Sequence, residues 1–172
     1  MEPFRAAYHP EMKASKQPFW VHVVGHRMTF SHRVDVPAGV ACTFVHIFHD
    51  AVPVRTVDGL VEVPPHTLIV LEPRKPIELG RAAPPWRHSW IRISGTGVRA
   101  ILASCGIAFH TPIPFPDTSM NETHLLGLHQ EMHHPKGTDM ENAEDLFRIW
   151  MRNVRREAAG RAPTVPAAFL RA

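Results

Sequence analysis

The sequence predicts an α+β protein in which antiparallel β-structure, a barrel or a sandwich, is followed by an antiparallel pair of α-helices. Short apolar or alternating runs separated by Pro, Gly and Asp fill the first 96 residues, which is typical of short strands joined by tight turns. After residue 96 the apolar residues recur with helical spacing. The 17 prolines cluster in the first two-thirds of the chain and argue against a helical bundle.

Six segments are predicted as strands because they are short, apolar or alternating, and bounded by turn residues. They are 19–30, 40–50, two within 51–64, 66–73 and 89–94. Within 51–64, Asp58-Gly59 stands between two apolar runs, a pattern that favours a tight hairpin turn. These regular turn signals favour a closed or two-layered antiparallel arrangement.

Three helices are predicted after residue 96. The first is short and ends at Gly106, a residue type common at helix C-termini. Two capping boxes, Ser119 with Glu122 and Thr138 with Glu141, predict where the next two helices begin. The short Pro-Lys-Gly turn between these helices makes them an antiparallel pair.

The helix pair carries an apolar stripe whose role the pattern leaves open. The stripe can dock on the β-structure of the same chain. Alternatively, the two helices can bury one face inward and present the other to a second copy, forming a homodimer. The residues predicted for that dimer interface are Leu125, Leu128, Met132, Leu146, Phe147, Trp150 and Met151.

Composition and charge limit the function classes. The 172 residues suit one domain. The net charge of +3, without a dense Lys/Arg run, does not indicate direct nucleic-acid binding. Cys42 and Cys105 form no CxxC motif, which indicates free thiols in a reducing compartment. The sequence shows neither a signal peptide nor a run of about 20 apolar residues, so we expect a cytoplasmic protein without membrane contact.

Catalytic and metal-binding patterns are weak. His46 and His49 are three apart on a predicted strand and point to opposite faces, and no neighbouring glutamate completes a ligand set. His129 and His133 lie one helical turn apart and can either collect a metal or form a solvated polar face. No G-x-S-x-G elbow, P-loop or G-x-G-x-x-G motif occurs. We therefore expect no enzyme activity, no metal site and no cofactor.

The segment PPWRHSWIRISG, residues 84–95, is the candidate binding element. In a strand, its two tryptophans, His88 and Arg92 share one face, while Ile91 and Ile93 share the other. Two flat aromatic surfaces beside an imidazole suit a sugar-like or aromatic ligand, which can stack on tryptophan and hydrogen-bond to histidine. The alternative is that the tryptophans only pack and the histidine bonds to a backbone carbonyl.

Together with the preceding VPPHTLIVLEP, this segment resembles the N-terminal regulatory domain of AraC/XylS-family transcription regulators. In that family a strand with a proline-rich start and an apolar body precedes a W-x-H-x-W-[IV]-x-[FI] strand that ends near a glycine. The matching residues are Trp86, His88, Trp90, Ile91, Ile93 and Gly95. The helix, proline-rich connector and helix pair that follow stand in the family's order, so the resemblance covers the chain from about residue 19 onward.

The resemblance implies a cupin-like barrel of the double-stranded β-helix type that binds a small effector, and a helix pair that forms a homodimer. DNA would be bound by a C-terminal domain with two helix-turn-helix units, expected beyond the last residue. The alternative function is a metal-dependent cupin enzyme, an isomerase or dioxygenase. The implied regions are an N-terminal arm at 1–18, the barrel at 19–96, a helical dimerisation region at 97–159, and a linker with the start of a helix at 160–172.

Several residue roles carry over from the family. Its pocket histidine and tryptophan correspond to His88 and Trp90, and a pocket arginine near the start of the barrel corresponds to Arg33. An arm that closes over the ligand would use Phe4 and Tyr8. The full expected ligand-binding set is His88, Trp90, Arg33, Trp86, His46 and Leu79.

The sequence also departs from the family pattern at two places. Pro65-His66-Thr67 stands where Pro-Gly-Asp is usual, and Leu79 replaces a wall residue that is often aromatic. Arabinose itself is therefore not implied as the effector.

Overall fold

The computed structural model describes residues 2–7 and 17–160. The strands are β1 (Phe4–Ala7), β2 (Trp20–Phe30), β3 (Val34–Val36), β4 (Thr43–Phe48), β5 (Val52–Thr56), β6 (Gly59–Val63), β7 (Thr67–Leu71), β8 (Ile77–Leu79), β9 (Trp86–Ser94) and β10 (Ile113–Pro114). The helices are α1 (Val98–Ser104), α2 (Ser119–Met132) and α3 (Met140–Ala159). All six predicted strands are present, and β1, β3, β8 and β10 are additional.

The strands form two antiparallel sheets. The larger has six strands in the order β1-β2-β9-β4-β7-β10, and the smaller has four in the order β3-β8-β5-β6. The predicted hairpin is confirmed, because β5 and β6 pair from Val52↔Val63 to Thr56↔Gly59. Gly59 has a φ of +104°, which a glycine adopts at little cost. The predicted α+β class is confirmed.

The six-stranded sheet separates two apolar cores. One of its faces packs against the three helices, and Ile91 and Ile93 of β9 belong to this core. The other face packs against the four-stranded sheet, and Phe48 and Trp86 belong to that second core. The alternation of side chains along β9 therefore sends its isoleucines toward the helices and its aromatic residues between the sheets, as predicted.

At the start of both helices of the pair an aspartate accepts hydrogen bonds from backbone N–H groups, and the predicted capping boxes do not form. Asp117 accepts a hydrogen bond from the backbone N–H of Ser119 at the start of α2. Asp139 accepts from two backbone N–H groups at the start of α3. The predictions that Ser119 and Thr138 open capping boxes are wrong. The Glu122 N–H, which Ser119 would cap, donates to the backbone carbonyl of Thr118, and the Glu141 N–H, which Thr138 would cap, donates to Asp139 Oδ1.

The apolar stripe of the helix pair is buried within the chain. Phe147 of α3 packs on Phe19, with ring centroids 5.2 Å apart. Six of the seven residues predicted for a dimer interface are at most 7% exposed, and Leu146 is partly buried. The interface prediction is therefore wrong for Leu125, Leu128, Met132, Phe147, Trp150 and Met151. These side chains pack on the face of the six-stranded sheet opposite the smaller sheet and shield its apolar residues from water.

The region boundaries of the sequence analysis correspond only partly to the packing. Residues 4–7 of the predicted arm form β1, which pairs with β2 at the edge of the larger sheet. Residues after 96 share one core with the sheet, so residue 96 marks a change of secondary structure within a continuous core. Tyr8 and residues 161–172, with the predicted linker and helix start, lie outside the described residues. Within the described part, no helix is long and apolar enough to span a membrane.

Candidate functional site

A cavity of about 200 Å³ lies between the two sheets. At roughly 30 Å³ per molecule of liquid water, this volume equals that of six or seven waters, the size of a small organic molecule. Valines, isoleucine, leucine and aromatic rings form most of the wall, together with two histidines and two arginines. The lining residues are Arg5, Val23, Phe30, Val34, Val36, Val40, Phe44, His46, Ile77, Leu79, His88, Trp90 and Arg92.

Strand β9 supplies three consecutive inward-facing side chains to this cavity. His88, Trp90 and Arg92 alternate with residues that face the helices, so all three reach the same space. On the neighbouring strand β4, His46 is paired with Trp90 across the ladder. The rings of His46 and His88 are 5.1 Å apart, which brings two imidazoles together at one side of the cavity.

Gly25 makes room for the tryptophan that forms part of the wall. It is the ladder partner of Trp90 on β2. A Cβ atom at Gly25 would lie 2.4 Å from Cζ3 of Trp90, so any larger residue would force the indole to move. Gly25 was not among the residues predicted for the site. Its signal was a glycine within a strand, which often marks close approach of another group.

The two cavity histidines are neutral at pH 7. Burial lowers the pKa of His46 to about 3. Burial also lowers the pKa of His88 well below its ordinary value, and nearby histidines add to the effect. Within the described residues, the Nδ1 atoms of both rings are buried without a hydrogen-bond partner. Because a neutral imidazole has one donor and one acceptor nitrogen, the pair can hydrogen-bond to a ligand of small size.

Four of the six predicted ligand-binding residues line the cavity, namely His46, Leu79, His88 and Trp90. Arg33 does not, because its half-exposed guanidinium pairs with Glu78 on β8. Its assignment to the pocket wall is corrected accordingly.

Trp86 also lies outside the cavity wall and supports it from behind. Its side chain is fully buried, and its Nε1 donates to the backbone carbonyl of His32 at 3.1 Å. Its ring stacks on His88 with centroids 4.7 Å apart. Gly80, with a φ of +81°, leaves the space that the indole occupies. The tryptophans were predicted either to stack on a ligand or only to pack. Trp86 packs, and its ring positions His88.

A second buried polar cluster connects β2 to α2 outside the cavity lining. The register of β2 against β9 shifts between Gly25 and Met28, and Arg27 in this bulge has a φ of +48°. Such a bulge redirects a side chain. Arg27 donates from Nε to Glu122 Oε1 at 2.7 Å and from Nη2 to Glu122 Oε2 at 2.9 Å. The ion pair therefore fixes α2 on the sheet.

Two histidines complete this cluster. Nε2 of His26 and Nε2 of His49 lie 3.4 and 3.6 Å from Glu122 Oε1. Burial lowers the pKa of both rings, that of His49 to about 4. Burial by itself would raise the pKa of Glu122, but the hydrogen bond from Arg27 and the nearby positive groups hold it below its ordinary value. The Glu122 carboxylate thus stays ionised, and both of its oxygens accept hydrogen bonds from Arg27.

Ser89, His49 and Glu122 lie together but do not form a catalytic triad. The Ser89 hydroxyl is 2.9 Å from His49 Nε2, the same nitrogen that faces Glu122. A triad instead needs the base to use one ring nitrogen for the nucleophile and the other for the acid. Ser89 is also fully buried, so its oxygen is out of reach of a substrate. The cluster is structural.

Metal ligands are not assembled in the described residues. Within 2–7 and 17–160, no group of three or more His, Cys, Asp or Glu is placed to hold a metal ion. His129 and His133 lie with ring centroids 4.3 Å apart, and His129 packs on Phe4 of β1. His129 therefore covers Phe4 of the N-terminal strand.

Two facing antiparallel sheets with a small, mostly apolar cavity between them form an arrangement suited to a small-molecule site. The chain belongs to the AraC-like ligand binding domain family, whose model matches residues 53–149, more than half of the sequence. This match includes β5–β9, the three helices up to Ile149, and the cavity residues on β8 and β9. The predicted resemblance is thereby confirmed as far as an AraC-like ligand-binding domain.

Comparison with solved structures gives distant similarities. A cupin superfamily protein from Desulfitobacterium hafniense DCB-2 is similar with 9% identity and a TM-score of 0.34, over 53% of this chain and 76% of that one. The protein YhaK from Escherichia coli is similar with 10% identity and a TM-score of 0.35, over 57% of this chain and 47% of YhaK. No curated protein sequence matches the chain.

Proposed function

We propose that the chain is the effector-sensing domain of a bacterial AraC-type transcription regulator, without catalytic activity, and that the cavity between its sheets binds a small effector. The observation that carries this proposal is the cavity between the two sheets. It combines apolar walls with two buried imidazoles whose Nδ1 atoms have no partner among the described residues. Buried polar atoms normally find a partner, and a bound ligand would supply it.

The effector can act by a shift of population. A ligand favours whichever arrangement it binds more tightly, by no more than its difference in affinity for the two. Arg5 on β1 lines the cavity, so a ligand can contact the N-terminal segment as well as the sheets. Strand β1 lies at the edge of the larger sheet and, among the described strands, pairs only with β2. An edge strand can detach at lower cost than a central one, so β1 is our candidate for the element that moves when the effector binds.

Homodimerisation and DNA binding through a C-terminal domain stay predictions of the resemblance. The buried stripe of the helix pair cannot serve as the dimer surface in this fold. Sizing of the chain in solution is the measurement for the first prediction. The second prediction requires two helix-turn-helix units following this domain in the native protein, and sequencing of the native transcript checks for them.

The binding proposal is tested by thermal unfolding with a panel of sugars, polyols and small apolar carboxylates. We expect one class to raise the melting temperature. At a concentration of about 100 times Kd, the stabilisation is roughly 2.7 kcal/mol, or about 5–10 °C for a domain of this size. The same ligand should lose its effect on Gly25→Ala, whose Cβ displaces Trp90 from the wall.

Gly127→Ala is the matched control, because its Cβ would have only Leu146 Cδ2 nearby, at 4.0 Å. Within α2 this change should keep the ligand response and add about 0.5–1 kcal/mol of stability. Circular dichroism establishes that both variants are folded. If no compound stabilises the unaltered chain, or if Gly25→Ala responds like Gly127→Ala, the cavity is not the site. A stoichiometric metal ion in untagged protein would instead favour the metal-dependent cupin enzyme.

A further inference from the structure

We propose that the effector is a small carboxylate with an apolar body, its carboxylate held by Arg92 and its body packed against Trp90. This inference rests on the proposed function, namely that the cavity takes an effector. It concerns the chemical class of that effector, for which the sequence alone left sugar-like and aromatic ligands open.

The charge around the cavity is positive and uncompensated. Arg5 and Arg92 are the charged residues among its lining side chains, and no aspartate or glutamate lines it. Neither arginine has an ion-pair partner within the described residues. The Nε atom of Arg92 is buried and also lacks a hydrogen-bond partner there. Arg5 is exposed and Arg92 is half-buried, so the group that lacks a partner is the buried Nε–H of Arg92, and a carboxylate in the cavity would accept its hydrogen bond.

Other arginines of the chain show how its cations are ordinarily satisfied. Each of the six that form ion pairs has a carboxylate partner. Even the acid on the cavity strand β8, Glu78, is turned away from the cavity and pairs with Arg33 and Arg55. Among the described residues, Arg92 is the arginine with a buried side-chain nitrogen that has no hydrogen-bond partner. A guanidinium binds a carboxylate through two parallel hydrogen bonds, which fixes the ligand's orientation.

Cys42 lies close enough to Arg92 for its pKa to be influenced by that positive charge. Burial nevertheless raises the pKa of Cys42 above its ordinary value. The thiol is accordingly neutral at pH 7 and is not a counter-ion for Arg92.

The remaining wall selects an apolar body. Five aliphatic side chains from β2, β3 and β8 face the rings of Phe30, Phe44 and Trp90. Apart from the arginines, the polar groups of the wall are the neutral imidazoles of His46 and His88 and the indole N–H of Trp90. A sugar would place several hydroxyls against hydrocarbon, and each buried hydroxyl without a partner weakens binding. The volume of about 200 Å³ fits a six-membered ring or a short branched chain.

Calorimetric titration with matched compounds tests this class. The probes are cyclohexanecarboxylate and 3-methylbutanoate, each beside its neutral amide, with L-arabinose and inorganic phosphate as further arms. In the unaltered chain we expect each carboxylate to bind about tenfold to a hundredfold more tightly than its amide, the range of one charge-assisted interaction. Arg92→Gln should weaken carboxylate binding by the same factor and leave amide binding unchanged. Arg152→Gln, an exposed arginine on α3, removes the same charge and should change neither.

The outcomes separate this inference from the proposed function. If the amides or arabinose bind as tightly as the carboxylates and lose binding in Gly25→Ala, the cavity is an effector site but its ligand is not a carboxylate. If phosphate displaces the carboxylates at equal concentration, the arginine attracts any anion and the apolar wall plays no part. If none of these compounds and none of the wider panel binds the unaltered chain, the proposed function itself fails. The carboxylate–amide comparison needs no variant, so it decides even if Arg92→Gln does not fold.

Discussion

Replacing Trp150 by alanine is expected to lower the free energy of unfolding by about 3–5 kcal/mol, a large part of the stability of a single domain. The indole is fully buried between α3 and the rest of the chain. Its Nε1 donates to Asn121 Oδ1 on α2 at 2.8 Å, and its ring meets Phe147 edge to face. Alanine would leave both a cavity and an unsatisfied amide. Urea unfolding followed by circular dichroism measures the loss.

Ile149→Ala is the matched control on the same helix, because Ile149 is 47% exposed. The free energy of unfolding of this variant should differ from that of the unaltered chain by less than about 0.5 kcal/mol. Trp150→Phe should fall between the two, since it keeps an apolar ring and loses the hydrogen bond. Equal stability of the Trp150→Ala and Ile149→Ala variants would contradict the burial of the stripe. If Trp150→Ala changed the oligomeric state and left the free energy of unfolding unchanged, Trp150 would belong to a dimer interface as first predicted.

Lowering the pH from 7 to 5 is expected to destabilise the chain strongly, because its buried histidines are neutral. The folded-state pKa of His46 is about 3, whereas the ring titrates near 6.5 when unfolded. As the pH falls through 6.5, the unfolded chain takes up protons that the folded chain refuses, so stability is lost. For His46 alone the loss between pH 7 and pH 5 is about 2 kcal/mol. His49, with a pKa of about 4, and His88 act in the same direction.

The acidic residue of the second cluster contributes little in this window. The pKa of Glu122 is lowered in the folded chain. Its stabilisation is therefore present above its ordinary value of 4.5 and is lost only as the pH falls through the lower folded value. The range between pH 7 and pH 5 thus isolates the histidines.

Urea unfolding at pH 7, 6 and 5 measures this dependence. In His46→Gln the drop in stability between pH 7 and pH 5 should be about 2 kcal/mol smaller than in the unaltered chain. His134→Gln, at an exposed position after α2, should retain the full drop. An equally steep drop in both variants would show that His46 is not buried and neutral as described.

The strands and the inward face of β9 follow from local patterns. Alternation in a half-buried strand has a period of two, so the joint placement of His88, Trp90 and Arg92 could be predicted before any tertiary structure. The hairpin at Asp58-Gly59 followed from turn chemistry in the same way. The short strands β3 and β8 were missed because three-residue strands carry too little pattern to detect.

The errors arose where the outcome depends on which surfaces meet. The stripe of α3 is the same in sequence whether it covers a sheet of its own chain or a second copy, so the roles of Phe147 and Trp150 could not be decided from the pattern. Arg33 was placed in the pocket by a resemblance whose register is poorly fixed there. In the structure Glu78 on the adjacent strand β8 captures it. Arg92 was on the correct face, but only the fold shows that its buried Nε atom has no hydrogen-bond partner among the described residues.

That the space between the sheets is a ligand site is tested most directly by a crystal structure of the chain with the tightest-binding compound of the titrations. We expect electron density for that compound in the cavity, in contact with Trp90 and with a hydrogen bond to His88 or Arg92. A cavity that contains only water while the compound lies elsewhere on the chain would contradict the proposed function.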